Sequence, residues 1–139
     1  MASLTFKDGH FTVNSVDLSA HVSSITLNLS KDTPEDTAMG DDSRSYLPDG
    51  LNTASIDVTY NADFAASQVD ASNWAIYAGS SAVAFIVKPN GGTTGTSNPK
   101  YTGNCILTSF SPVQGSVGDT ASATVSYQVT GDVARATSD

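Results

Sequence analysis

Residues 22–61 read VSSITLNLSKDTPEDTAMGDDSRSYLPDGLNTASIDVTYN, two alternating runs separated by a long polar stretch. In the first run Ile25, Leu27 and Leu29 share one face, and Thr26, Asn28 and Ser30 share the other. In the second, Ala54, Ile56, Val58 and Tyr60 oppose Ser55, Asp57, Thr59 and Asn61. A period of two marks a strand with one buried side. The two runs therefore read as strands that pair antiparallel across the base of the stretch between them. That stretch, Lys31 to Gly50, holds six of the fourteen acids: Asp32, Glu35, Asp36, Asp41, Asp42 and Asp49. Hairpin loops usually run about two to five residues, and this connection is twenty. Folded as a hairpin-like arm of about ten residues each way, it reaches ~33 Å at roughly 3.3 Å per residue. A compact chain of this length has a radius of gyration of only about 14 Å. Such an arm can touch a neighbouring subunit, which points to assembly rather than chemistry.

Working outward, alternation recurs. Thr120 to Thr130 is the longest case, with Ala121, Ala123, Val125, Tyr127 and Val129 on one side and Ser, Thr and Gln on the other. Leu4 to Val13 is extended and broken at Asp8-Gly9; Ala82 to Val87 and Tyr101 to Phe110 are further strands. Asn90 to Pro99 and Pro112 to Asp119 are rich in turn residues. Asp63 to Gly79 predicts the one helix, with Asp63 as N-cap and Gly79 at its C-terminal end. Its apolar residues form two stripes: Phe64, Ala71, Ala75 and Ala78 with Trp74 at the edge, and Ala65, Val69 and Ile76. The preferred reading packs both in a crevice of the helix's own domain; the other sets one stripe on the sheet and one on a neighbour. The sum is mainly β: a β-sandwich or partly closed barrel with one flanking α-helix and a long loop between early strands. We expect a single domain over 1–139, with an N-terminal segment 1–15, an extended loop 31–50 and a C-terminal tail 131–139.

Composition narrows the function. The chain has 139 residues, 39% hydrophobic and 14% charged, with net charge −8. Its six cations, Lys7, Lys31, Arg44, Lys88, Lys100 and Arg135, form no run. Phosphate-backbone binding needs clustered Lys or Arg, so nucleic-acid binding is not expected. The lone Cys105 can form no intrachain disulfide and sits among apolar strand residues, as a small buried hydrophobe would. The first residues lack an apolar signal core and no apolar run approaches about 20 residues; the expectation is a soluble protein made in a cytoplasm, without membrane contact. His10 and His21 lie near no GxSxG motif, and neither HExxH nor a phosphate loop is present. The arm acids do not keep EF-hand spacing. A carboxylate pair for glycoside hydrolysis has no motif to mark it, and one Trp gives a sugar platform little support. We expect no catalytic residue, no metal and no cofactor: not an enzyme.

The polar strand faces carry short Ser, Thr, Asn and Gln side chains, with Asp57 the one charge. A solvated sheet usually mixes both signs of charge. A cation-free face suits a conduit for DNA, because nothing on it grips phosphate and a negative field keeps the polymer mobile. Asp57, Thr59, Ser122, Thr124 and Ser126 are the candidate lumen residues. Asp32, Glu35, Asp36, Met39, Asp41, Asp42, Arg44, Tyr46 and Leu47 are the candidate subunit-contact residues of the loop.

The order of parts resembles the major tail tube proteins of long-tailed (siphovirus-type) bacteriophages, which are related to type VI secretion tube proteins. The likeness runs from about Val16 to Arg135. It rests on NSVDLSAHVSSITLNLS, then DTAMGDDSRSYLPDGL, then ASIDVTY, the helix after Asp63, NPKYTGNCILTSF, and SPVQGSVGDTASATVSYQVTG. The resemblance implies a structural virion protein whose hexameric rings stack into a tail tube that delivers DNA without binding it specifically. It implies partners in a tape measure and other tail proteins, residence in the virion tail, and assembly in the host cytoplasm. A non-enzymatic β-sandwich binding module, for a carbohydrate or cell-surface ligand, is the alternative.

Overall fold

The structure is a computed structural model that describes residues 6–65 and 68–138. Its strands are β1 (His10–Val13), β2 (Val16–Asp17), β3 (Val22–Lys31), β4 (Asn52–Asn61), β5 (Val83–Lys88), β6 (Lys100–Gln114) and β7 (Ser122–Ala136). Helix α1 (Val69–Ala78) joins β4 to β5, and a 3₁₀ turn at Ser19–His21 joins β2 to β3. All strands belong to one antiparallel sheet in the order β2-β1-β5-β6-β7-β4-β3. The sheet does not close, since β2 and β3 stand at its two ends.

It does curl. β1 and β4 are four places apart, about 19 Å on a flat sheet at ~4.8 Å per strand. Yet the Phe11 ring on β1 lies 6.4 Å from Tyr60 on β4 and 6.0 Å from Tyr127 on β7. Strong coiling therefore brings the β1–β5 half over the β4–β7 half, and the inner faces meet. The core is what alternation dictates: Ile56, Val58 and Tyr60 from β4, Val125 and Tyr127 from β7, and Phe11, Val13, Phe85 and Cys105 from the other half. Register shifts interrupt the β6–β7 pairing between Thr102 and Asn104, Leu107 and Ser109, and Ser111 and Gln114, and irregularities of this kind bend a strand and increase its twist. Gly131 helps, with a φ of +84° that favours glycine.

The pairing of β3 with β4 is the expected one, with Leu27 opposite Ile56 and Thr26 opposite Asp57. Three boundaries differ. First, residues 131–136 are not a tail: β7 runs on, pairing Ala134 with Thr102 and Ala136 with Lys100. Second, the helix starts at Val69, not after Asp63. Asp63 Oδ1 instead accepts the Ala65 N–H at 2.9 Å, a local turn that competes with the cap. Third, the first fifteen residues are more than a loose segment: from residue 6 they include β1 and a two-residue turn at Asn14 and Ser15, both at positive φ. Residues 1–5 lie outside the described residues.

Val69, Asn73 and Ile76 form the buried stripe of α1. Phe64, Trp74 and Tyr77 are more than half exposed, and Ala71, Ala75 and Ala78 are exposed with them. The crevice reading is thus corrected: one stripe packs inward and the other faces out. The polar anchor is buried. Tyr127 Oη donates a short hydrogen bond to Asn73 Oδ1, Tyr60 and Tyr127 hydroxyls lie 3.1 Å apart, and Asn73 Nδ2 donates to the Val69 carbonyl at 2.9 Å. Burial raises the pKa of both phenols above the ordinary tyrosine range, so they remain hydrogen-bond donors.

Candidate assembly surfaces

Lys31 to Gly50 folds as a two-legged arm. Asp32 N–H donates to Leu51 O at 2.9 Å, Leu47 N–H to Pro34 O at 2.7 Å, and Asp36 N–H to Ser45 O at 2.9 Å. Glu35 and Tyr46 face each other as an isolated bridge. The tip is turned by Asp41, whose Oδ2 accepts the Ala38 N–H at 2.8 Å. Thr37 bridges the legs, its Oγ1 accepting from Ser45 N–H at 2.8 Å. At the root, a side chain on Gly50 would meet Asp32 O at 1.9 Å, so the two legs touch backbone to backbone. Every residue from 31 to 49 is exposed, Met39 fully so. The arm therefore stands out from the body of the sheet. Its acids are spread along both legs, and among the described residues no three of His, Cys, Asp and Glu gather as a metal would need.

The outer face of β3, β4, β7 and the far half of β6 is a second surface. Registry lines up Thr26, Asp57, Ser126 and Ser109 in one row, and Ser24, Thr59, Thr124 and Ser111 in the next. Asn61 and Ser122 follow. Asp57, Thr59, Ser122, Thr124 and Ser126 are thus brought together on one side of the sheet, opposite the core. Their polar atoms are tied locally: Ser126 Oγ donates to Asp57 Oδ1 at 2.9 Å, and Thr124 Oγ1 to Gln114 Oε1 at 2.8 Å. Across these rows the face holds no Lys or Arg among the described residues; Ile106, opposite Gln128, is an exposed apolar residue beside them.

This four-strand section has two edges without a strand partner among the described residues, and α1 packs against β6. Among the described residues no strand pairs with the outer side of β3. On β6, β5 covers only Tyr101 to Cys105, so Ile106 onward has no strand on that side among the described residues. Strand directions alternate over β6-β7-β4-β3, so the two edges run opposite ways.

Two features had no signal in the sequence. One is the exposed Trp74–Tyr77 pair, with ring centroids 5.4 Å apart; the planes are tilted by 37°, not the flat platform a sugar ring stacks on. The other is a cleft of about 590 Å³, lined by His10, Asp17, Ser19 and Ile25 among others. It holds a serine, a histidine and an aspartate, but in the wrong order for nucleophilic catalysis. Ser19 Oγ donates to Asp17 Oδ1 at 2.6 Å, and His10 Nε2 bonds Thr12 Oγ1 at 2.8 Å. The base never touches the hydroxyl, as activation requires. The Ser19 hydrogen bond holds the Asp17 carboxyl below its ordinary pKa. Cys105 is fully buried, and burial pushes its thiol up to about 12, away from reactivity. No helix among the described residues is long and apolar enough to cross a membrane.

No protein-family model matches the chain, and no curated protein matches it in sequence. Solved structures do resemble it. A chain of the virion of a native gene transfer agent particle aligns with a TM-score of 0.77 at 19% identity, over 96% of this chain and 98% of that one. A chain of the tail of an empty gene transfer agent particle, with C6 symmetry, gives 0.67 at 19% identity over 82% and 81%. The SPP1 tail tube gives 0.67 at 18% identity, over 95% of this chain and 78% of that one. The curled, open, antiparallel sheet with one helix is therefore a fold found in tail structures. In particular it is the fold of the SPP1 tail tube chain.

Proposed function

We propose that this chain is a structural virion protein, the subunit of a phage-type tail tube. Copies close into hexameric rings, the rings stack, and the polar sheet face lines a channel through which DNA passes without specific binding. The observation that carries the reading is the four-strand section with its cation-free face and two open edges of opposite direction. Because the number of strands is even, the β3 edge of one copy meets the β6 edge of the next antiparallel, and the seam continues the sheet. Six copies, the symmetry of the similar gene transfer agent tail, give a barrel of about 24 strands. Barrels of 16–18 strands already leave an aqueous channel. The face then presents Asp57, short hydroxyls, side-chain amides and Ile106 to the polymer, so a phosphate meets no cation to pair with. The exposed arm supplies a contact beyond the seam, and the chemistry is structural rather than enzymatic. A tape measure and other tail proteins are the further partners, and the virion tail, built in the host cytoplasm, is the place.

Native mass and negative-stain images of concentrated protein test this. Rings or tubes are expected. Protein that stays monomeric at high concentration and with tail partners overturns the proposal.

A further inference from the structure

Two apolar surfaces are uncovered among the described residues, and they stand at opposite edges of the same four strands. The first is on α1, where Trp74 and Tyr77 are more than half exposed with ring centroids 5.4 Å apart. The second is a groove of about 350 Å³ beside β3, lined by Phe6, Ile25, Leu27, Leu29, Val87 and Tyr101 among others. Ile25, Leu27 and Leu29 pair with the core residues Val58, Ile56 and Ala54, so the groove opens on the core side of β3.

α1 stands on that same side of the sheet. It packs against β6; Val69 shares a crevice with Phe110, Pro112 and Ala123, and Asn73 receives the Tyr127 hydroxyl. From there α1 runs back along β6, because the chain leaves it at Gly79 and enters β5 at Val83, opposite Cys105. The hand of the chain decides where the aromatic pair points. Ala62 N–H bonds Ala121 O, and bonded pairs alternate along a ladder, so Ile56, Val58 and Tyr60 turn their backbone groups toward β7. With L-residues this puts β7 to the left of β6, viewed from the core side with β6 running upward. A right-handed helix running down over β6, with Val69, Asn73 and Ile76 against the sheet, carries Trp74 and Tyr77 on its right flank at about 100° per residue. The pair therefore overhangs the outer edge of β6, where Ile106 onward lies beyond the stretch that β5 covers.

We infer that Trp74 and Tyr77 of one copy seat in the β3 groove of the adjacent copy in the ring. This rests on the tube reading above. There the neighbour's β3 adds to the Ile106–Gln114 stretch of β6, and the core sides of the two sheets run on into each other. The neighbour's groove then lies one strand, ~4.8 Å, beyond β6. A helix is about 10–12 Å across with its side chains, so one seated on β6 also covers the next strand. The occupant is a second copy because each chain supplies both halves of the contact, at the two edges that the seam brings together. Backbone pairing alone lets one strand slide along another, whereas two rings held in a groove set the register.

Trp74 is the only tryptophan, so its fluorescence reports on this site. On assembly its emission should shift to the blue and its quenching by iodide should fall. A nitroxide attached at Lys88→Cys, which lines the groove, on copies that also carry Trp74→Phe, should quench the Trp74 of wild-type copies in mixed tubes and not in mixed monomers; Cys105 is buried and takes no label. Trp74→Ser with Tyr77→Ser removes exposed rings, so melting stays near wild type while the concentration needed for tubes rises about tenfold or more. Tubes whose Trp74 stays as accessible as in the monomer overturn the inference and leave the tube reading standing. So does a blue shift without quenching from position 88, which puts another surface over the pair. Wild-type protein that never assembles refutes both.

Discussion

Gly50→Ala is a lever applied at the root of the arm. The added carbon falls 1.9 Å from Asp32 O and 2.6 Å from its carbonyl carbon. Ordinary contact needs roughly 3.4 Å, so the two legs must part by about 1.5 Å. That separation breaks the Asp32 N–H to Leu51 O hydrogen bond, now 2.9 Å. Spread over the ~4.8 Å between paired legs, it tilts the arm by about 17°, and at a tip ~30 Å away it moves the contact by about 9 Å. The cost to the fold is small, since one exposed backbone hydrogen bond contributes about 0.5–1.5 kcal/mol. Melting should fall by only a few degrees, roughly 2–8 °C per kcal/mol for domains in this size range. The cost to assembly is large, because a contact displaced by about 9 Å misses its partner and the concentration needed for tubes rises tenfold or more. Melting curves and sedimentation, with negative-stain images of the pellets, read the two effects separately. Gly95→Ala is the control, as its added carbon meets nothing within 4 Å. Normal tubes at the wild-type concentration refute the claim that arm direction matters. A collapse in melting temperature refutes the claim that the root is independent of the core.

Other expectations follow from the same geometry. Replacing Asp36–Ser45 by an Asn-Gly turn keeps the Glu35–Tyr46 bridge, and should leave a folded monomer that makes no tubes; tubes of normal length in electron micrographs count against the arm. Tyr127→Phe deprives Asn73 Oδ1 of its donor, and chemical denaturation should show a loss of about 1–3 kcal/mol. Asp57→Lys removes the bond to Ser126 from an exposed site, so melting changes little while DNA delivery slows; unchanged infectivity excludes Asp57 from the channel. Cys105 has a folded pKa near 12 against an ordinary 9.0. The unfolded chain therefore loses its thiol proton first, and stability falls as pH rises from about 9 towards 12. Cys105→Ala should flatten that limb in pH-dependent melting, where the tyrosines contribute in the same direction.

Legibility in the sequence followed locality. The β3–β4 pair and its arm were readable because two alternating runs flank the loop, and alternation fixes which side is buried. The end of β7 was not. Asp132 to Ala136 has no clean alternation, and it is a strand because Lys100 to Thr102, thirty residues earlier, lie alongside. The helix start failed for a different reason, since Asp63 had a local turn available that satisfied it before any helix began. Asn73 did leave a trace: it falls at i+4 from Val69 and three before Ile76, squarely on the buried stripe, where a polar residue implies a buried partner. Nothing local says that the partner is Tyr127, because that contact depends on how the sheet curls. The candidate channel residues were legible as a face of each strand. Their alignment into rows across four strands required the register.

Taken alone, this monomer is poorly defended. A ten-residue edge strand with no proline and no charge before Lys31 is a template for pairing with other chains, and natural proteins usually blunt such edges with lysine, proline or a bulge. Here the bulge sits only at the start, between Val22 and Ser24, and the rest of β3 is regular. Leu29, Leu51, Trp74 and Tyr77 are exposed as well. These features are costly in a protein that works alone and coherent in one that closes a ring, because closure is the one arrangement that removes edges altogether. Opposite edge directions permit closure by identical seams, and a head-to-tail seam that closes cannot grow into a fibre in the plane of the ring.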